Sequence, residues 1–180
     1  MVQFTAYGVA QPAGSKTVGF TKTGRHFVRD SAKGSAEWKR TVAQNAGAVM
    51  SGRALLEGPL SLRVVFVMPR PKGHFGKTGV RSSAPPYPTV APDATKLLRA
   101  VEDACQGIVF VNDAAVVDQH VFKRYGHPAR IEVTVMELRP DGVITFPPLA
   151  HSGPPPLNFV VDGEVVGPRD YKDPTEADVA

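Results

Sequence analysis

From Leu60 to Met68 the hydrophobic positions alternate. Leu60, Leu62, Val64, Phe66 and Met68 share one face of an extended strand, and Ser61 and Arg63 begin the other. Val65 and Val67 make that second face apolar too, which predicts a central strand with a helix covering it. A different period governs Ser35 to Met50: Trp38, Val42, Ala46 and Val49 recur at helical spacing and define a buried stripe, with Gly52 as the stop. Phe4 to Val9 reads as a first strand ended by the turn Gln11-Pro12-Ala13-Gly14. Val18 to Phe20 and His26 to Val28 flank Lys22-Thr23-Gly24-Arg25, a hairpin in which Gly24 supplies the positive φ. A second helix spans about Lys96 to Gln106, with Leu97, Leu98, Val101 and Ala104 or Cys105 inside and Gly107 at its end. Val116 to Phe122 and Ile131 to Leu138 read as the two strands of an antiparallel hairpin. His120 falls on the polar face of the first of them, where a lone histidine is more often structural than a ligand.

Two stretches have no period. Residues 69–91 carry Arg70, Lys72, Lys77 and Arg81 and no acid. An irregular loop of that length inside a compact domain is functional or disordered. Basic residues interleaved with Phe75 and Tyr87 suit a loop that grips a nucleic-acid backbone and stacks an aromatic on an unpaired base. A flexible excursion that happens to be basic is the bland alternative. Beyond Arg139, prolines at 147–148 and 154–156 and a run of acids predict a disordered tail over 140–180, outside a folded domain of 1–139.

Composition narrows the class. A chain of 180 residues with 42% hydrophobic content supports one ordinary core. No run of 18 apolar residues occurs, so no membrane span is expected. MVQFTAYGVAQ has neither a basic n-region nor an apolar h-region, so no secretory signal is expected. The lone Cys105 cannot form an internal disulfide, which fits a reducing cytoplasm, and its place in a helix makes it a small buried hydrophobe. Of 21 bases and 17 acids, two and seven respectively lie after position 139, leaving 19 and 10 in the body, a net charge of +9. A basic body of this size suits a polyanion such as a phosphate backbone. Lys16, Lys22 and Arg25 concentrate that charge around the first hairpin, where a charged, protected sheet edge is the plainer reading.

Candidate chemistry gathers between Pro92 and Lys123. Asp93 and Asp113 stand at opposite ends of the short helix unit, each at the edge of a regular element. Loop carboxylates that a fold brings together suit a hard divalent cation, which takes oxygen ligands and keeps part of its water shell. Spacing alone is weak support, because helices often begin with Asp as the N-cap.

The wording of the stretch adds to this. Pro92, Asp93, Leu97, Asp103, Ala104, Asp113, Val116 and Val117 fall into the frame Pro-Asp-x-Asp-Asn-Leu-x-Lys, Asp-Ala-Leu, Asp-Asp, and Lys123 matches the basic residue that often ends it. Gly8 to Lys16 (GVAQPAGSK) looks like an N-terminal Gly-x-Pro-x-x-Lys-type segment. In these features residues 1–138 resemble the RusA-type Holliday-junction resolvases. The resemblance implies an α+β fold, a small mixed or antiparallel sheet with two helices packed on it. It also implies a Mg²⁺-dependent (alternatively Mn²⁺-dependent) endonuclease that resolves four-way DNA junctions as a homodimer in the cytoplasm of a bacterial or phage-infected cell.

Under that resemblance Asp93, Asp113 and Arg99 are the expected catalytic residues. Asp93, Asp113 and Asp103 are the expected metal ligands. Lys16, Lys22, Arg25, Arg70, Lys72, Lys77, Arg81 and Lys123 are the expected DNA contacts. The sequence also departs from the frame. Thr95 stands at the second acidic position, Lys96 replaces the following Asn, Arg99 replaces a catalytic Lys, and Asn112 replaces the first Asp of the pair. Two carboxylate positions are thus neutral, and Glu102, Asp103 or Asp118 would have to compensate. A plain helical ion pair between Arg99 and Asp103 is the alternative reading of those two residues. Two other functions remain open: a junction-binding protein that has lost catalysis, and a small basic protein with no DNA role.

Overall fold

A computed structural model describes residues 1–14, 23, 25 and 34–138 in full, and the strands at 16–20, 26–30, 159–161 and 164–166 in backbone only. In chain order the elements are β1 (Val2–Tyr7), β2 (Lys16–Phe20), β3 (His26–Asp30), α1 (Ser35–Met50), β4 (Leu60–Met68), β5 (Phe75–Gly76), β6 (Gly79–Val80), α2 (Ala94–Cys105), β7 (Val116–Tyr125), β8 (Arg130–Glu137), β9 (Phe159–Val161) and β10 (Glu164–Val166). The main sheet has the order β1-β8-β4-β7, with β7 parallel to β4 and the other pairs antiparallel. This is the α+β architecture expected.

β4 takes a central place because its side chains are almost all apolar and can be buried on both faces. Its even-numbered residues, with Val2, Phe4, Ala6, Ile131, Val133 and Val135, meet the inner stripes of both helices in one core. Trp38, Val42, Ala46 and Met50 supply the α1 stripe, and Leu97, Val101 and Ala104 belong to that of α2. The two helices pack on each other, α1 against β1 and α2 against β7. Trp38 is a core anchor, as its spacing predicts.

Three expectations are corrected. The strands at Val116 and Ile131 are not a hairpin: β4 lies between them. The connection steps over the end of β4, where the Gly126 amide donates to the Met68 carbonyl at 3.0 Å. A Cβ on Gly126 would lie 2.6 Å from a Val67 methyl, so only glycine clears the crossing.

No described helix covers the second face of β4, because both helices share the first. Val65 and Val67 are nonetheless buried. Their neighbours in register are Phe122, Arg124, Arg130 and Glu132. Arg124 and Arg130 reach Glu132 at 3.1 and 2.8 Å, so an ion-pair network stands beside the two valines on this face.

Nor is 69–91 without regular structure. A 3-10 turn at Lys72–His74 leads into the small β5–β6 hairpin. The expected tail lies largely outside the described residues, although β9 and β10 within it pair with each other.

Candidate active site and nucleic-acid interface

The α2–β7 unit carries most of the predicted chemistry, and its geometry follows from strand alternation. Gln119 and Lys123 lie on the face of β7 that meets α2. Gln119 donates to Glu102 at 2.5 Å, and the Lys123 ammonium donates to the Val90 and Pro92 carbonyls at 3.0 and 2.9 Å. Glu102 lies near the end of α2 and Pro92 just before its start, so helix and strand run in opposite directions.

Asp93 occupies the N-cap position of α2 with extended backbone, yet its carboxylate makes no capping hydrogen bond. It is exposed and pairs with Lys96 at 3.2 Å. Asp113 opens a single 3-10 turn, Asp113–Ala115, between α2 and β7. Asn112 caps that turn by accepting from the Ala114 amide at 3.0 Å.

Glu102 is half-buried, and its carboxyl titrates above the ordinary range. Desolvation is the largest cause, followed by the negative charge of Asp113. The Gln119 hydrogen bond and the Arg99 charge act in the opposite direction. The structure therefore brings Glu102, Asp113 and Arg99 within electrostatic reach of one another. Asp93 is nine positions before Glu102, roughly 13 Å along a helix axis.

The other carboxylates are engaged elsewhere. Asp103, next to Glu102, points around the helix toward α1 and accepts from Lys39 at 2.7 Å. That pair replaces the Arg99–Asp103 pair read from spacing. Asp118 alternates onto the opposite face of the sheet from Gln119, where it accepts from the Ser61 hydroxyl and lies 3.0 Å from the His120 ring. His120 pairs with Asp118 on that face, and Asp118 is not brought to Glu102. Among the described residues no group of three His, Cys, Asp or Glu side chains is arranged to hold a metal ion. Glu102 and Asp113 are carboxylates that sense each other's charge, the oxygen chemistry a hard divalent cation takes. Mg²⁺ is commonly held by one or two carboxylates with water completing the shell, and a cation would relieve the repulsion between these two.

A family model described as Endodeoxyribonuclease RusA matches residues 10–136. The chain belongs to the RusA family. It is also 30% identical over 140 residues to the uncharacterized protein YqaN of Bacillus subtilis (strain 168), covering 76% of this chain and 96% of that one. RusA-family nucleases generally use a divalent metal and act on branched DNA, which sets the frame for the site. No described helix is long and apolar enough to cross a membrane.

Within that RusA frame the predicted DNA contacts divide. Arg25, Lys72, Lys77 and Arg81 are exposed. Arg81 also clasps the small hairpin by donating to the Phe75 carbonyl at 3.0 Å. Arg70 stacks 4.2 Å above the Tyr125 ring and donates to the Pro85 carbonyl at 3.0 Å, so it holds the loop. Lys123 is likewise committed to backbone. Lys22 and the Lys16 side chain lie outside the described residues. Of the loop aromatics, Tyr87 meets Phe122 edge to face at 5.9 Å, and both remain partly exposed. Sequence reasoning named Glu102 only as a substitute carboxylate. Its one visible signal was its position on α2, a turn from Arg99.

Proposed function

We propose that this chain cleaves four-way DNA junctions in a divalent-metal-dependent reaction, Mg²⁺ being the natural ion and Mn²⁺ a substitute, and that it acts as a homodimer. The observation that carries the reading is the match of residues 10–136 to the RusA family, whose signature segment here holds Glu102, Asp113 and Arg99 within electrostatic reach of one another. Asp113 and Glu102 would hold the ion, with Asp93 exposed at the opposite end of α2. A bound divalent ion makes a water more nucleophilic and stabilises the leaving oxygen of the phosphodiester.

The remaining roles belong to the chain itself. The Arg99 guanidinium stays protonated and offsets charge growing on the phosphoryl oxygens. Gln119 fixes the Glu102 carboxylate, and the Asn112 cap fixes the turn that presents Asp113. Arg25, Lys72, Lys77 and Arg81 supply exposed positive charge for the DNA backbone. Symmetric incisions require two sites, which a two-fold dimer provides.

Incubating a labelled four-way junction with the protein, with EDTA or with Mg²⁺, tests this. Nicking appears only with metal and is lost in Asp93→Asn and Asp113→Asn. Unaltered cleavage by Asp93→Asn would remove that residue from the mechanism.

A second reading, a junction binder without catalysis, is favoured by the neutral Thr95 and Asn112. It predicts tight, salt-sensitive junction binding in EDTA and no nicks with either Mg²⁺ or Mn²⁺. A flat response to both DNA and salt would leave a basic protein with no DNA role.

A further inference from the structure

Four prolines, at 85, 86, 88 and 92, stand in the stretch that delivers the chain to α2. Each removes a backbone donor, so this stretch cannot be held by a ladder of its own amides. Two side-chain cations take over. Arg70 holds the Pro85 carbonyl, and Lys123 holds the carbonyls of Val90 and Pro92. The second of these carbonyls belongs to the residue bonded to Asp93.

We infer that Lys123 is the positioning residue for Asp93: its ammonium, reaching from β7 across to the Val90 and Pro92 carbonyls, fixes where the N-terminus of α2 presents that carboxylate. An ammonium has three N–H donors, and two are used here. Asp93 makes no capping hydrogen bond, and among the described residues its carboxylate pairs only with the exposed Lys96 at 3.2 Å, on the first turn of the same helix. The Asp93 backbone is extended, at φ −66° and ψ 141°, so the position of Pro92 sets where the residue that carries the carboxylate enters α2. On the same face of β7, Gln119 clasps Glu102, so one strand holds both ends of α2 by side chains four residues apart. This assigns Lys123 a role other than the phosphate contact its charge suggests. The inference rests on the proposed role of Asp93 in cleavage, and the test separates the two.

The full-length chain is compared with Lys123→Met, which keeps the stem and loses the donors, and Lys123→Arg, which keeps donors able to reach both carbonyls. Hydrogen exchange measured by mass spectrometry, without DNA or metal, reads the anchoring directly. Lys123→Met is expected to exchange at least about ten-fold faster in peptides covering 87–97, with α1 and β4 unchanged, and Lys123→Arg is expected to restore protection. Exchange over 87–97 that matches the unmodified chain overturns the anchoring, whatever the protein does to DNA.

Single-turnover junction cleavage reads the consequence. Lys123→Met is expected to cleave about ten-fold or more slowly at saturating protein, with junction affinity in EDTA within two-fold and no further loss in the Asp93→Asn background. A Lys123→Met chain that binds the junction several-fold more weakly, has a shallower salt dependence and yet cleaves at the normal saturated rate overturns the assignment in favour of a phosphate contact. If Lys123→Met fails to fold, Lys123→Gln, with one short donor group, is read in its place on the same two assays. Loss of cleavage in the unmodified chain would count against the nuclease reading alone, while the exchange result would still decide the anchoring.

Discussion

The two ends of α2 are built on opposite principles. At its start, positive charge is spent on geometry: Lys123 and Arg70 donate to backbone carbonyls, and Asp93 stands exposed with Lys96 beside it. At its far end, negative charge is crowded. Glu102 is half-buried against Gln119 with Asp113 close enough to raise its pKa. A cation arriving from solvent therefore gains most at the far end, where it relieves an existing repulsion. At the start, a lysine already lies beside the carboxylate. The difference teaches that the two aspartates of the signature stand in unlike charge environments, one beside a lysine and one beside a half-buried carboxyl.

The largest effect should come from breaking the crowded end. Asp113→Asn removes the carboxylate that raises the Glu102 pKa most and is expected to slow metal-dependent junction cleavage on the order of 100-fold, measured under single turnover. Asp93→Asn should resemble it in rate but require less additional Mg²⁺ for half-maximal cleavage. Equal shifts in metal requirement would erase the distinction between the ends.

Both ends are held in place by one strut, so loosening the strut should disturb both. Leu97 is fully buried on the inner face of α2. Leu97→Ala is expected to cost about 3 kcal/mol, read from urea unfolding, with faster exchange at Asp93 and Asp113 alike.

A smaller and more specific effect concerns Glu102. Its folded-state pKa is raised above the ordinary value of 4.5, so the native state holds the proton more tightly than the unfolded chain. Stability is then lost as pH rises from about 4.5 through the raised value. Glu102→Gln removes that loss. It should melt slightly higher than the unmodified chain at pH 7 and match it at about pH 3.5, where the carboxyl is protonated in both states. A reversed pH trend in paired melting curves would contradict the crowding at this end. The smallest effect is a null one. Burial pushes the Cys105 thiol up to about 12, so it should not react with a thiol reagent at pH 8 until the protein unfolds.

Much of this was legible in the sequence wherever the decisive interactions were local or periodic. Ser35–Met50 and Leu60–Met68 announce their limits by period, and Trp38 its burial. The pairing of β7 was not legible, because a strand's partner is chosen by non-local burial, and the short connection through Gly126 looks like any hairpin turn. Nor could the sequence divide the cations: Arg70 and Lys123 resemble the exposed Lys77 until prolines leave nearby carbonyls in need of donors. Glu102 and Asp103 are adjacent in the chain but about 100° apart on a helix, which sends one toward β7 and the other to Lys39 on α1. Only the packing of α2 between those elements decides which of them is half-buried within reach of Asp113's charge.

Most direct is a Mg²⁺ titration of four-way junction cleavage at saturating protein, comparing the unmodified chain with Asp113→Asn. The account predicts no nicks in EDTA and paired nicks as Mg²⁺ rises. It predicts that the variant loses cleavage while its junction affinity in EDTA stays within two-fold. Unmodified protein that binds the junction but never cuts it with Mg²⁺ or Mn²⁺, or an Asp113→Asn chain that cuts normally, would contradict it.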